Sequence, residues 1–399
     1  MPAMLDFELA DVFPIFGGTA PYGVPGQGGI ISAGDRLIHT LADGTDINAI
    51  YAEFDEALEI WNTERKQFSD LLSFRTTLAA EAVPRDQETT SFELATEYGV
   101  PQAAGMPVDA LVQGYGYKDY SRRTQLTWQA LRKMDRRAVE SVFNNVLSAD
   151  VKLTTGLVLR RFFTPSAGEK NENLTPIYGL FDAPTDGIVP MPYRGRTFTN
   201  SFTSYWPTGS TDLDSADIED AISQLISLGH GIDDGTQIII AANPTESEII
   251  QSFKKGQENN NSQTASHDFI PSKNAPAYLT DQTIVGELAP EEYGGIKIDG
   301  QYGYGWLATT SWIPAGYVAV FATGGPGSEK NSIAFREHEI ESYRGLIMQP
   351  GNVNSGMPFS ETMFVRSCGV GVKNRGMGVA LQVTAASTYT APDYDEIPI

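Results

Sequence analysis

One stretch constrains the fold more than any other: "DRRAVESVFNNVLSADVKLTTGLVLRRFF", Asp135 to Phe163. Val139, Val142, Phe143, Val146, Leu147, Val151, Thr154, Leu157 and Val158 recur at three- and four-residue steps, which makes one continuous stripe along a helix. Asp135 suits the start, and Pro165 enforces a stop. At 1.5 Å per residue this rod is roughly 40 Å long, and it needs a partner sheet along its length. Gly156, inside the stretch, marks a bend or a close approach, since glycine there costs roughly 1 kcal/mol relative to alanine.

The flanking segments read differently. Residues 1–45 carry little periodicity and the run "FGGTAPYGVPGQGGI", so they read as an extended arm that gains order by lying on something else. From Asp46 to about Phe68, Ile47, Ile50, Tyr51, Phe54, Leu58 and Trp61 predict a short amphipathic helix. Over 71–120 the pattern turns strand-like, with "SFRTTLAAEAV" and "SFELATEY" joined by the polar turn "PRDQETT", which predicts a long hairpin. Its faces are too polar for a buried sheet of their own, so it packs on the body or reaches a neighbour.

After Pro165 the texture is that of an α/β or α+β domain. In "STDLDSADIEDAISQLISLGHG" the stripe Ile218, Ala221, Ile222, Leu225, Ile226 predicts a helix with Asp and Ser at its start and Gly229 at its stop. "TQIIIAANPTESEIIQSF" predicts a buried strand, Asn243 as cap, Pro244 at the first helical position and Glu246 completing a capping-box-like arrangement. "KKGQENNNSQTASHD" reads as a loop tip or disordered segment, and "IPAGYVAVFATGG" as a second buried strand. In "FVRSCGVGVKNRGMGVALQVTAAST", apolar residues alternate on both sides of a waist holding Lys373 and Arg375, and Asn374 to Gly376 make a tight turn or a bulge.

Composition removes several function classes. A formal charge of −22 and pI near 4.5 argue against nucleic-acid binding as the main role, because that needs clustered Lys and Arg. The single cysteine, Cys368, excludes an internal disulfide and any multi-cysteine metal site, and its place in a strand pattern marks a packed thiol. The N-terminus is acidic where a signal peptide is basic, and no apolar run of about 18 residues occurs, so a soluble cytosolic product is expected. The four histidines lack a second ligand at metal spacing, and "DLDSADIED" fits helix capping better than a calcium loop. No P-loop, dinucleotide fingerprint or nucleophile elbow is present; no catalytic residue, cofactor or metal is expected.

Taken in order, these elements resemble the major capsid proteins of tailed double-stranded-DNA bacteriophages, of the Hong Kong 97 fold. The more specific likeness lies in "YRGRTFTNSFTSYW", "DSADIEDAISQLISLGHGIDDGTQIIIAANPTESE", "FREHEIESYRGLIMQPGN" and the 364–388 stretch, which are similar to a capsid subfamily of actinobacterial phages. Coverage is about residues 46 to 390. The resemblance implies an α+β fold with an N-arm (1–45), a short helix (46–70) and an E-loop hairpin (71–120). The spine helix and first part of the P-domain (121–179), the A-domain (180–345), the return strand of the P-domain (346–390) and an acidic tail (391–399) follow. It favours a bent or bulged strand at Asn374 to Gly376 over a hairpin.

The implied function is structural: copies associate into hexamers and pentamers of an icosahedral shell that encloses DNA without reading its sequence. The residues "GQENNNSQTASHD" are expected near ring centres. Arg75, Arg85, Lys373 and Arg375, scarce cations on an acidic chain, and Asp86 are candidate contacts between subunits, against a reading of each as an ordinary solvated charge. Portal, decoration and scaffolding proteins are expected partners, membranes are not, and the product is expected in the virion after synthesis in the host cytoplasm. The short arm leaves no room for a cleaved scaffolding segment, so an unshortened chain with a separate scaffold or none is expected. The competing readings are a bacterial nanocompartment shell, separable by co-purified enzyme rather than DNA, and an acidic α/β enzyme, separable by its small oligomer size.

Overall fold

The long helix forms over Arg136–Phe163 without a break, and Gly156 lies buried within it. The computed structural model describes residues 41–63, 68–84, 99, 110–131, 133–166, 168–272, 289–350 and 359–394. The chain divides into two compact units, one of Met1–Arg65, Asp119–Asp150 and Ile340–Ser367, the other of Lys66–Lys118, Val151–Glu339 and Cys368–Ile399.

In the first unit the expected short helix spans Ile47–Thr63. Its Ile50, Phe54 and Leu58 pack on Val139, Phe143 and Val146 of the long helix, with Leu346 and Phe364 completing the core. The Phe54 and Phe143 rings stack at 4.0 Å. Asp135 caps the long helix by accepting from the Ala138 N–H at 3.1 Å, as its position predicts. Asp43 accepts from the Arg136 N–H at 3.0 Å. Hydrogen bonds from the Thr45 backbone and then from Arg136 hold the Asp43 carboxyl below its ordinary value. Strand Leu346–Pro350 runs antiparallel to residues Thr362–Arg366 of strand Phe359–Val372.

The second unit is built on a seven-stranded mixed sheet. Its order is Tyr205–Pro207, Gly378–Gln382, Tyr317–Thr323, Gln237–Ala242, Gly305–Thr309, Gly300–Tyr302, Phe269–Pro271. Alternation splits the central strands between two buried faces, which is why "IIIAA" and "VAVFA" show no polar face. Ile238, Ile240, Val318, Val320, Val379 and Leu381 meet Ile218, Ala221 and Leu225 of helix Ser215–Ser227 and Ile250 of helix Pro244–Gln251. On the other face Phe321 lies 6.2 Å from both Phe68 and Phe162, ring centre to ring centre.

Asp214 caps helix Ser215–Ser227 in a full capping box with Asp217, the role that "DLDSADIED" predicts. At helix Pro244–Gln251 the Asn243 cap is present, but Glu246 does not return to it. Its Oε1 accepts from the Gly316 N–H at 2.7 Å instead, binding the helix to the next loop.

Local expectations fare differently. Strand Ser73–Thr76 is not part of the hairpin: it pairs in parallel with Ile333–Glu337. Strand Ala80–Pro84 pairs with Ala110–Gly114, and "SFELATEY" lies, with the "PRDQETT" turn beyond Pro84, outside the described residues. Residues 1–40 of the expected arm also lie outside them, whereas Leu41 is buried in the first core. "KKGQENNNSQTASHD" is an exposed loop but not a disordered one, because its asparagines bond to the start of helix Ser215–Ser227. Asn259 Nδ2 donates to Ser215 Oγ at 2.8 Å, Asn260 Nδ2 to the Leu213 carbonyl at 2.8 Å, and Asn261 Nδ2 to Asp214 Oδ2 at 3.0 Å. Finally, Asn374 to Gly376 make the tight turn of the two alternatives, closed by the Met377 N–H on the Asn374 carbonyl at 3.3 Å, and not a bulge or a hairpin. Strand Phe359–Val372 ends in one sheet and Gly378–Gln382 starts in another, and Asn374 Nδ2 holds the crossing by donating to the Lys330 carbonyl at 3.0 Å and that of Asn331 at 3.1 Å.

Candidate interaction surfaces

The base of the hairpin lies at a junction made of glycines. "GYGYK" (114–118) lies across "CGVGV" (368–372), and Cβ atoms are excluded at the crossing. A Cβ on Gly369 would stand 2.0 Å from the Gly116 carbonyl oxygen, and one on Gly371 would stand 2.7 Å from that of Gly114. The crossing is closed by backbone bonds from Gly116 N–H to the Val370 carbonyl at 3.2 Å and from Tyr115 N–H to the Ala79 carbonyl at 2.9 Å. Tyr115 is fully buried, and its hydroxyl donates to Glu81 at 3.1 Å. Burial, with the adjacent Glu81 carboxylate, pushes that phenol well above its ordinary value, so it stays a donor.

The candidate contact residues divide three ways. Arg75 is exposed on its parallel strand, opposite Phe335. Arg85 and Asp86 lie outside the described residues. Lys373 is half-buried, 2.8 Å from Glu81 Oε1 and 5.2 Å from the Phe74 ring centre, so its charge is matched inside its own chain. Arg375 corrects the expectation most firmly, being 2% exposed. Its Nε donates to the Gly179 carbonyl at 2.9 Å and its Nη2 to that of Leu180 at 3.0 Å, while Asp186 takes the charge. The guanidinium sits against the Tyr178 and Phe181 rings at 4.9 and 4.8 Å. Desolvation pulls its affinity for the proton down, opposed by Asp186. It fastens the crossing between the sheets instead of facing a neighbour.

Three further pairs escape the sequence reading. Arg366 meets both carboxylate oxygens of Asp150 at 2.8 Å, and Trp61 Nε1 donates to the same carboxylate at 3.1 Å, all inside the first unit. Arg336 pairs with Glu172 and lies over the Tyr117 ring at 4.9 Å. Arg161 lies 3.3 Å from Glu169. Only Asp150 leaves a trace in the sequence, as a carboxylate at a position the apolar stripe occupies.

Among the described residues no group of three or more His, Cys, Asp and Glu is placed to hold a metal ion, and no helix is long and apolar enough to cross a membrane. No family model matches the sequence, and no curated protein matches it. Solved structures do. A protein of Mycobacterium phage Patience is 31% identical with TM-score 0.69, over 94% of this chain and 98% of that one. The mature capsid of bacteriophage PhiM1 is 14% identical with TM-score 0.47 over 80% of this chain and 87% of that one. An encapsulin of Synechococcus elongatus PCC 7942 is 8% identical with TM-score 0.42 over 81% and 89%. At those levels neither of the last two bears on function.

The α+β architecture, with its uninterrupted helix, glycine crossing and mixed sheet, is the Hong Kong 97 capsid fold. With 31% identity almost end to end, the chain belongs to the major capsid proteins of tailed double-stranded-DNA bacteriophages. Its role is structural, and copies of it associate.

Proposed function

We propose that this chain is the repeating subunit of an icosahedral shell, assembling into hexameric and pentameric capsomers around a phage genome. The observation that carries the proposal is the near end-to-end likeness to the Mycobacterium phage protein. The physical argument concerns the limbs. Apart from Leu41, Leu71, Leu72, Phe74 and Tyr115, which pack inside the chain itself, segments 1–45 and 71–120 have little apolar content for cores of their own, and become buried interface when laid across neighbouring copies. The hairpin base, locked by glycine crossing and ion pairs, gives such a limb a rigid root. A shell built from so acidic a chain holds DNA without gripping it. Portal and scaffolding proteins join as partners, the site of synthesis is the host cytoplasm, and the shell subunit has no catalytic activity.

The test is production of the chain alone, with electron microscopy and sedimentation of the product. Rings or megadalton particles are expected, and particles from infected cells should yield DNA. A product that stays a small oligomer at every concentration would refute the shell, and particles holding an enzyme instead of DNA would turn the reading to a nanocompartment.

A further inference from the structure

Leu174 is 75% exposed, and its φ of 60° lies in the left-handed region that bulky side chains seldom adopt. The turn that carries it is held firmly. Asn171 Oδ1 accepts from the Asn173 N–H at 3.0 Å and the Thr175 N–H at 2.9 Å, and Asn171 Nδ2 donates to the Ala79 carbonyl at 2.8 Å. The turn also seats on the hairpin base. Gly114 N–H donates to the Pro176 carbonyl at 2.7 Å, and a Cβ on Gly114 would stand 2.8 Å from the Thr175 carbonyl oxygen.

Alternation places Val112 on the same strand face as Gly114, hence on the side of the turn. Val112 is 47% exposed, and Leu78, beside the anchoring Ala79, is 52% exposed. The carboxylates flanking the turn carry their own cations: Glu172 has Arg336 and Glu169 has Arg161. That matters in a chain of net charge −22, whose copies repel one another over most of their surface. Copies meet at least cost where carboxylates are already neutralised and apolar side chains stand out. Backbone strain kept at an exposed apolar residue motivates the hypothesis of a functional contact.

We propose that Leu174, with Val112 and Leu78, forms a rigid apolar knob that docks onto a second copy of this chain. The inference rests on the shell reading, and the test separates the two. Leu174→Gly removes the knob while suiting the left-handed backbone, so the variant should fold at least as firmly as the wild type. Light scattering should show its assembly threshold raised by about tenfold, as for loss of one apolar anchor. Leu174→Glu, which adds charge to a neutral face, should raise it further. A photo-cross-linking residue at position 174 should give covalent dimers of this chain in particles and none after dissociation. If the wild type forms particles and Leu174→Gly forms them at the same threshold, or cross-links reach only another protein or nothing, the knob is overturned. If the wild type forms no particles, the shell reading fails and takes the knob with it.

Discussion

Asp150 stands in the apolar stripe of the long helix with its side chain 1% exposed, against an Arg366 side chain 3% exposed. Two charges withdrawn from water this far are tolerated because each is the other's partner and Trp61 adds a third bond. Replacing Arg366 by Met leaves the carboxylate uncompensated and should cost about 3–5 kcal/mol, read as a shift of the urea midpoint. Replacing Asp150 by Leu as well should restore most of the loss; a double variant as unstable as the single one would show that packing, not charge, is at stake. A second carboxyl behaves in the opposite sense. Burial first, and then the neighbouring Asp214 carboxylate, push Asp217 up to about 7. With its folded value above the unfolded one, this group favours the fold fully below about pH 3.8 and loses that contribution as pH rises through 7. Asp217→Asn keeps the oxygen that accepts from the Asp214 N–H but carries no charge. It should stabilise the protein at pH 8 by on the order of 1 kcal/mol, discounted for solvent screening, and change little at about pH 3.5. Equal effects at both pH values would contradict the assignment.

Elements whose signal is local were legible. The long helix, helix Ser215–Ser227 and the two buried strands follow from period and caps within their own residues. What depends on a distant partner was not. "SFRTTLAAEAV" reads as one strand, yet Ser73–Thr76 and Ala80–Pro84 pair with different strands, because pairing is chosen by segments 30 to 260 residues away in the chain. The asparagines of "QENNNSQ" look like solvent-facing polarity until the helix start they cap is known. The glycine crossing was equally hidden: each motif shows glycines at alternate positions, and only the fold shows them face to face. This makes an asymmetric prediction. Gly369→Ala drives a Cβ to 2.0 Å from a carbonyl oxygen and should cost about 3 kcal/mol or more, or abolish soluble expression. At Gly116 a Cβ meets the Ile177 side chain and the Val370 carbonyl oxygen no closer than 3.5 Å, so Gly116→Ala should cost less than about 1 kcal/mol. Thermal melts of the two purified variants decide it, and equal loss from both would mean the strands do not cross this closely.

At the scale of the molecule, the difficulty is that a shell is made of copies that repel. Scarce cations looked like the natural glue between subunits, and that reading fails at Arg375 and weakens at Lys373 because both charges are matched within the chain. Nothing in a linear sequence distinguishes a cation turned inward from one turned to a neighbour; only burial does. With Arg375 and Lys373 so used, apolar contact is the expected main attraction between copies and net negative charge the main opposition. Salt should then promote assembly. The screening length shrinks from about 10 Å at 0.1 M to about 3 Å at 1 M, which removes the repulsion, while apolar burial is untouched by sodium chloride and strengthened by sulfate. Between roughly 0.05 and 0.5 M sodium chloride the threshold concentration for light scattering should fall several-fold, and further in sulfate at equal ionic strength. Particles that instead dissolve as salt rises would mean that ion pairs between subunits dominate, with Arg75, Arg85 and Asp86 the candidates to examine first.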